Sequence, residues 1–183
     1  MVLGAILTAI VVVLQFTGAA IRLGPFSVSL VLVPIVIGAA TCGVGIGAWL
    51  GFIFGCVVLL SGDAAVFLAI NIPGTVATVL VKGILCGLVA GIVYKALEKF
   101  NKYVAVITAA IICPVVNTGV FLLGCVIFFL DTIKAWGLAA GYNSTAGYVF
   151  LVLVGGNFLF EILTNIVLSP VIVRLLTIKN SKN

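Results

Sequence analysis

The sequence contains no histidine and only four acidic residues in 183. Histidine is the commonest metal ligand and a frequent general base, so its absence excludes histidine-based zinc sites and serine–histidine–aspartate triads. The glycine-rich G-x-x-x-x-G-K-[ST] loop that cradles nucleotide phosphates is also missing. We therefore expect a protein that has no metal site built on histidine and that does not hydrolyse ATP by itself.

Charge is scarce as well. Charged residues make up 7% of the chain and hydrophobic residues 64%, and the mean hydropathy is +1.49. A soluble domain carries about 25% charged residues, and apolar runs of about 20 residues are typical of membrane spans. The composition thus predicts a multi-pass membrane protein whose solvent is the lipid bilayer. The net charge of +5 comes from basic residues near span ends rather than from one basic face, so we expect no nucleic-acid partner.

Six apolar segments predict an all-α integral membrane protein with six transmembrane helices in one compact bundle. The first segment lacks the basic start and the small-residue cleavage site of a signal peptide, so it is expected to be a span. Residues 1–183 are expected to form a single domain. The predicted spans are 2–20, 26–41, 43–60, 74–94, 104–130 and 148–176.

Two segments between spans are expected on the outer side. Residues 61–74 are polar at Asp63 and Asn71 but otherwise apolar, which predicts a re-entrant or lid-like outer loop between spans 3 and 4. Residues 131–147 carry Trp136 and Tyr142 and are expected to be a second lid-like loop. The connector 95–103 and the tail are rich in basic residues, so the positive-inside rule places both termini in the cytoplasm. The basic residues of these two segments are Lys95, Lys99, Lys102, Arg174, Lys179 and Lys182.

Small residues recur every fourth position in three spans. The stripes Gly43–Gly47–Gly51–Gly55 and Gly83–Gly87–Gly91 favour close helix packing inside the bundle. Span 1 carries a single step of this kind, from Ala5 to Ala9. That step has two interpretations, internal packing or a flat patch against another protein, and the spacing alone does not choose between them.

Polar residues lie within several of the predicted spans. Counted from the outer ends at about 1.5 Å per residue, Lys82 lies roughly 12 Å deep, Asn157 about 14 Å, and Asn117 and Glu161 about 20 Å. Asn157 and Glu161 are one turn apart and share a helix face. A lone ammonium in lipid costs several kcal/mol, so Lys82 needs a partner.

Two interpretations of these residues compete. In the first, Lys82 and Glu161 form an internal ion pair and the asparagines bridge helices. In the second, the residues line a cavity and Lys82 meets an anionic ligand, which is favoured because ionisable groups inside membranes usually mark function. The candidate substrate-binding residues are Lys82, Asn117, Asn157 and Glu161, with Asp63, Asn71, Trp136 and Tyr142 from the covering segments.

The chain resembles the substrate-binding S components of energy-coupling factor (ECF) transporters, which are bacterial vitamin importers. The resemblance rests on the Ala5-x-x-x-Ala9 step and on three stretches: LVPIVIGAATCGVGIGAWLGFIFG (32–55), LVKGILCGLVAGIVYK (80–95) and PVVNTGVF (114–121). It implies a bacterial plasma-membrane protein that binds a vitamin or vitamin precursor from the outer side. It also implies docking, through Ala5 and Ala9, on a membrane T protein that carries two ABC-type ATPases, which use the ATP. Within the family the sequence looks most similar to the folate-, pantothenate- and riboflavin-type binders, and Lys82 favours a ligand with a carboxylate, such as pantothenate or a folate. The resemblance also implies that the chain is not an enzyme and that it holds no metal or cofactor of its own.

Other functions remain open at this point. A small secondary transporter or channel would use Glu161 and Lys82 as a buried ion or proton site, although the sequence lacks an inverted repeat. A membrane hydrolase would need serine or cysteine chemistry on Lys82, and no serine lies near it in spans 4 or 5. A structural or assembly protein would use Lys82 only to hold helices together.

Overall fold

The computed structural model describes residues 2–20, 22–23, 26–27 and 30–180. Helices form nearly all of these ranges, which confirms the expected all-α class. A two-residue antiparallel pair, β1 (Arg22–Leu23) with β2 (Phe26–Ser27), is the strand structure found within them. The helices are α1 (Val2–Ala20), α2 (Leu32–Cys42), α3 (Val44–Leu60), α4 (Ala65–Leu68), α5 (Ile72–Leu97), α6 (Lys102–Phe128), α7 (Leu130–Ala139), α8 (Thr145–Tyr148) and α9 (Gly155–Asn180), with a π-helical turn (Val149–Val154) joining α8 to α9.

Three helical segments are long and apolar enough to cross a membrane: Ile72–Leu97, Lys102–Phe128 and Thr145–Arg174. The first three helices are also apolar but shorter, at Val2–Gly18, Leu32–Cys42 and Val44–Leu60. Because a crossing takes about 20 residues, the long segments are those of a membrane protein. The count of six crossings stays a prediction, and so does the orientation, which also used Lys182, a residue outside the described ranges.

The start of α2 differs from the prediction. Residues 26–27 belong to β2, and the helix begins at Leu32 instead of residue 26. Pro34 explains the difference, because its ring would collide with the carbonyl of residue 30 if the helix extended further back. At its other end α2 stops before Gly43, whose φ of +97° is a backbone conformation that glycine favours. Gly43 is therefore a turn residue between α2 and α3, not a member of a packing stripe.

The segments expected to be outer loops contain helices. Residues 131–147 largely form α7 and α8, and Ile133 and Gly137, four residues apart, form the buried side of α7. Apolar residues at this helical spacing explain why the segment is not an open loop. Residues 61–74 contain α4 and the start of α5. Their proposed role as lids stays a prediction.

The glycine stripes of α3 and α5 face each other. A Cβ atom added at Gly51 would overlap the carbonyl oxygen of Gly83, and one at Gly87 would overlap the carbonyl oxygen of Gly47. The two backbones are therefore in direct contact, which confirms the prediction of internal packing at these positions. Because Lys82 directly precedes Gly83, the same contact places Lys82 against the face of α3 that carries Phe54.

Two clusters of buried side chains flank the polar residues. The larger is mainly aliphatic and joins α1, α2, α3, α5, α6 and α9. The smaller is aromatic and joins α4, the end of α6, α7, α8 and the π-helical turn. The candidate site lies where residues of both clusters meet.

Candidate functional site

A cavity of about 90 Å³ opens between the helices that carry the predicted polar residues. A single buried water needs about 10–15 Å³ of such space, so the cavity is large enough to hold a small organic molecule. Its polar lining consists of Gln15, Asp63, Thr75, Thr78, Lys82, Asn117, Thr118, Asn157 and Glu161. Its apolar lining consists of Phe54, Val58, Ala64, Phe67, Val79, Phe121, Phe129, Leu153, Val154 and Phe158.

The ammonium of Lys82 lies between two aromatic rings. Its Nζ is 5.3 Å from the centre of the Phe54 ring on α3 and 5.7 Å from that of Phe121 on α6. Both distances are within the range of cation–π attraction. No ion pair within 4.0 Å joins Lys82 to Glu161, whereas Lys134 and Asp131 on α7 form one at 3.4 Å. Lys82 and Glu161 thus face one cavity without the direct ion pair considered from the sequence.

Glu161 and its neighbours present hydrogen-bond acceptors to the cavity. Asn157 Nδ2 donates to Glu161 Oε1 at 3.2 Å, which confirms that the two side chains share a face of α9. Glu161 is 2% exposed and Asn117 is 5% exposed. Glu161 Oε2 and Asn117 Oδ1 nevertheless have no hydrogen-bond partner among the described residues. Buried polar atoms are nearly always hydrogen-bonded, so two unpaired acceptors at one cavity are typical of a binding site.

A second polar contact connects α1 with the lining of the cavity. Gln15 Nε2 donates a hydrogen bond of 2.5 Å to Asp63 Oδ2, and both residues belong to the lining. The sequence analysis missed Gln15 as a site residue. The available signal was a lone glutamine in an otherwise apolar span, since such a residue needs a polar partner.

The structure brings together Lys82, Asn117, Asn157, Glu161 and Asp63, as the sequence analysis expected. The remaining candidates lie outside the lining, and their role in substrate binding stays a prediction. Asn71 caps α5, because its Oδ1 accepts a hydrogen bond from the Gly74 amide at 3.0 Å. Trp136 packs edge-on against Phe67 with ring centres 5.9 Å apart, and Tyr142 packs against Tyr148 at 5.7 Å. Because Phe67 lines the cavity, Trp136 supports its wall from behind.

Two threonines on α5 were also missed. Thr75, Thr78 and Lys82 are spaced three and four residues apart, so they share one face of the helix. Thr75 Oγ1 donates to the Asn71 carbonyl and Thr78 Oγ1 to the Gly74 carbonyl, both at 2.7 Å. Both hydroxyl groups are thereby hydrogen-bonded within their own helix, and both residues line the cavity. Helical spacing from Lys82 would have found them.

Ala5 and Ala9 lie on the outside of the helices. Both are exposed on α1, beside exposed apolar residues such as Ile6 and Val13. The opposite side of α1 packs inward, with Leu7 and Val11 buried. The structure therefore does not pack the alanine step inside the protein, and the docking role of the two alanines stays a prediction.

The family of the chain follows from a comparison with protein-family models. The model described as "ECF transporter, substrate-specific component" matches residues 1–175, which include the whole lining of the cavity and the alanine step. No curated protein and no solved structure matches the chain. The match covers nearly all of the 183 residues. The chain therefore belongs to the family of substrate-specific components of ECF transporters, and it is a substrate-binding part of a transporter rather than an enzyme.

Proposed function

We propose that this protein captures a vitamin or vitamin precursor with a carboxylate, such as pantothenate or a folate, from the outer side of a bacterial plasma membrane. A membrane T protein and a pair of ABC-type ATPases then drive release of the substrate on the cytoplasmic side. The observation that carries the proposal is the ammonium of Lys82, which lines the cavity and has no ion pair with Glu161.

The surroundings of Lys82 suit an anionic group. The rings of Phe54 and Phe121 attract the ammonium but cannot neutralise its charge. A ligand carboxylate within hydrogen-bond reach of Nζ would supply that charge, and charge-assisted hydrogen bonds are roughly twice as strong as neutral ones. The phenyl rings of the wall, including Phe67 and Phe129, would cover the apolar part of the same ligand.

The proposed arrangement in the membrane follows the predicted spans. Six crossings with both termini in the cytoplasm place the turn between α5 and α6, with Lys95, Lys99 and Lys102 around it, on the cytoplasmic side. Asp63 and the start of α5 then lie toward the outside, so the cavity is nearer the outer surface. Residues 61–74 and 131–147 would cover the ligand from that side.

Docking on the T protein is proposed for the exposed face of α1. The small side chains of Ala5 and Ala9 would let a partner helix approach closely, where van der Waals contact stabilises helix pairs in lipid. The hydrogen bond from Gln15 to Asp63 connects the same helix to the cavity. This connection offers a route by which ligand binding could influence docking.

A thermal-shift screen of the detergent-purified protein tests the binding proposal. The panel is pantothenate, folate, riboflavin, thiamine, biotin, pyridoxine and nicotinate. A ligand at about 100 times its Kd stabilises the folded state by roughly 2.7 kcal/mol, because it binds that state alone. For a chain of this length that corresponds to a rise in Tm of about 5–10 °C. We expect one carboxylate-bearing vitamin to give such a rise. A rise with thiamine alone would contradict the anionic assignment, and no rise with any ligand would contradict the binding proposal.

A further inference from the structure

The charges of the cavity wall do not suit every anion. Lys82 is the one basic residue among the described residues of the lining, whereas Asp63 and Glu161 are both acidic. Glu161 is 2% exposed, so water screens its charge poorly. One ligand carboxylate can be neutralised by Lys82, but a second carboxylate in the same space would face Glu161 and be repelled. The wall therefore disfavours a ligand with more than one negative charge.

The unpaired atoms of the wall are acceptors and need donors. Glu161 Oε2 on α9 and Asn117 Oδ1 on α6 are buried without a hydrogen-bond partner. A ligand that fills the cavity displaces water from these two acceptor atoms. If the ligand offers only acceptors or apolar atoms, both atoms stay without a hydrogen-bond donor. Such buried unpaired groups reject a ligand strongly, whereas hydroxyl or amide N–H groups on the ligand would satisfy them.

We infer that the substrate is a compact monocarboxylate that also carries hydroxyl or amide donors. Its carboxylate accepts a hydrogen bond from the Lys82 ammonium, and its donors form hydrogen bonds to Glu161 Oε2 and Asn117 Oδ1. This inference rests on the proposed function and narrows it, because it sets a donor-bearing monoanion apart from a dianion such as folate. Glu161 then affects specificity in two ways. It accepts a hydrogen bond from a donor of the ligand, and its charge repels a second negative charge on the ligand.

Titration calorimetry with three probes separates these requirements. Pantothenate is a monocarboxylate with hydroxyl and amide donors, nicotinate is a monocarboxylate without them, and folate is a dicarboxylate with donors. We expect the full-length protein to bind pantothenate at least 10-fold more tightly than either of the others. Glu161→Gln is expected to weaken pantothenate binding by about 10- to 150-fold, the range for a hydrogen bond to a charged group. The same variant should reduce the difference in affinity between pantothenate and folate.

Ser169→Ala is the matched control. Ser169 lies on the same face of α9 two turns beyond Glu161, is buried, and bonds only the Ile166 carbonyl among the described residues, at 2.7 Å. It does not line the cavity, so its removal should leave the affinities unchanged.

The inference is overturned if nicotinate binds as tightly as pantothenate, because ligand donors then do not matter. It is equally overturned if folate binds more tightly, or if none of the three probes binds to the wild-type protein. These comparisons use the wild-type protein and stand even if Glu161→Gln fails to fold. In the first two cases a vitamin is still bound, so the proposed function survives. Failure of the whole thermal-shift panel would remove both proposals.

Discussion

Replacement of Lys82 by methionine separates a ligand-binding lysine from a purely structural one. Methionine keeps a similar length and flexibility but removes the charge and its donors. If the ammonium binds a carboxylate, its removal costs the complex one charge-assisted hydrogen bond. Such a bond contributes about 1.5–3 kcal/mol, which corresponds to a loss of affinity of about 10- to 150-fold.

The same replacement should not lower the stability of the ligand-free protein. Two cation–π contacts, to Phe54 and Phe121, are lost, each contributing about 0.5–2 kcal/mol. The replacement also removes a desolvation cost. An ammonium without an ion pair to Glu161 costs several kcal/mol to hold away from water, and methionine carries no charge. The two effects oppose each other, so we expect the Tm without ligand to stay unchanged or to rise.

The measurement combines a thermal melt without ligand with a calorimetric titration of the best ligand from the screen. Lys134→Met is the matched control, because Lys134 is a partly exposed lysine outside the cavity, paired with Asp131 at 3.4 Å. It should change neither quantity appreciably, since exposed ion pairs contribute at most about 1 kcal/mol. A lowered Tm together with full affinity in Lys82→Met would refute the reasoning and make Lys82 a structural residue.

Three further predictions follow from particular contacts. Gly51→Ala places a Cβ against a backbone carbonyl of α5 and should destabilise the protein by about 1–3 kcal/mol in a thermal melt, whereas Gly45→Ala, which meets no atom within 4 Å, should be neutral or slightly stabilising. An equal loss in both variants would argue against the close crossing of α3 and α5. Ala5→Leu and Ala9→Leu should abolish vitamin uptake by cells while leaving ligand affinity intact, and normal uptake by both would disprove the docking patch. Asn71→Ala removes the cap of α5 and should lower stability by about 0.5–2 kcal/mol, while a loss of ligand affinity without a loss of Tm would instead make Asn71 a substrate-binding residue.

The helical class and much of the candidate site could be predicted from the sequence. Depth counted along the spans brought Lys82, Asn117 and Glu161 to similar levels, and the structure has them around one cavity. The spacing of glycines in α3 and α5 predicted their contact. These predictions succeeded because helix rise and small-residue spacing are local properties that hold whatever the neighbouring helices do.

Other features depend on direction around a helix or on tertiary contacts. Depth says nothing about which way a side chain points, and the cap that Asn71 forms on α5 is seen only in the structure. Phe54 and Phe121 could not be told from other apolar residues until the helices were placed around Lys82. The π-helical turn Val149–Val154 shifts the register ahead of Asn157, and a residue count at the regular α-helical rise does not detect such a turn.

The central claim is that the cavity beside Lys82 holds the substrate. The most direct test is an experimental structure of the full chain with the ligand that raises the Tm most. We predict that the ligand lies between α5, α6 and α9, with a carboxylate oxygen about 2.7–2.9 Å from the Lys82 Nζ atom and with donors on Asn117 and Glu161. A ligand bound elsewhere, or a Lys82 that contacts Glu161 while the ligand avoids it, would contradict the account.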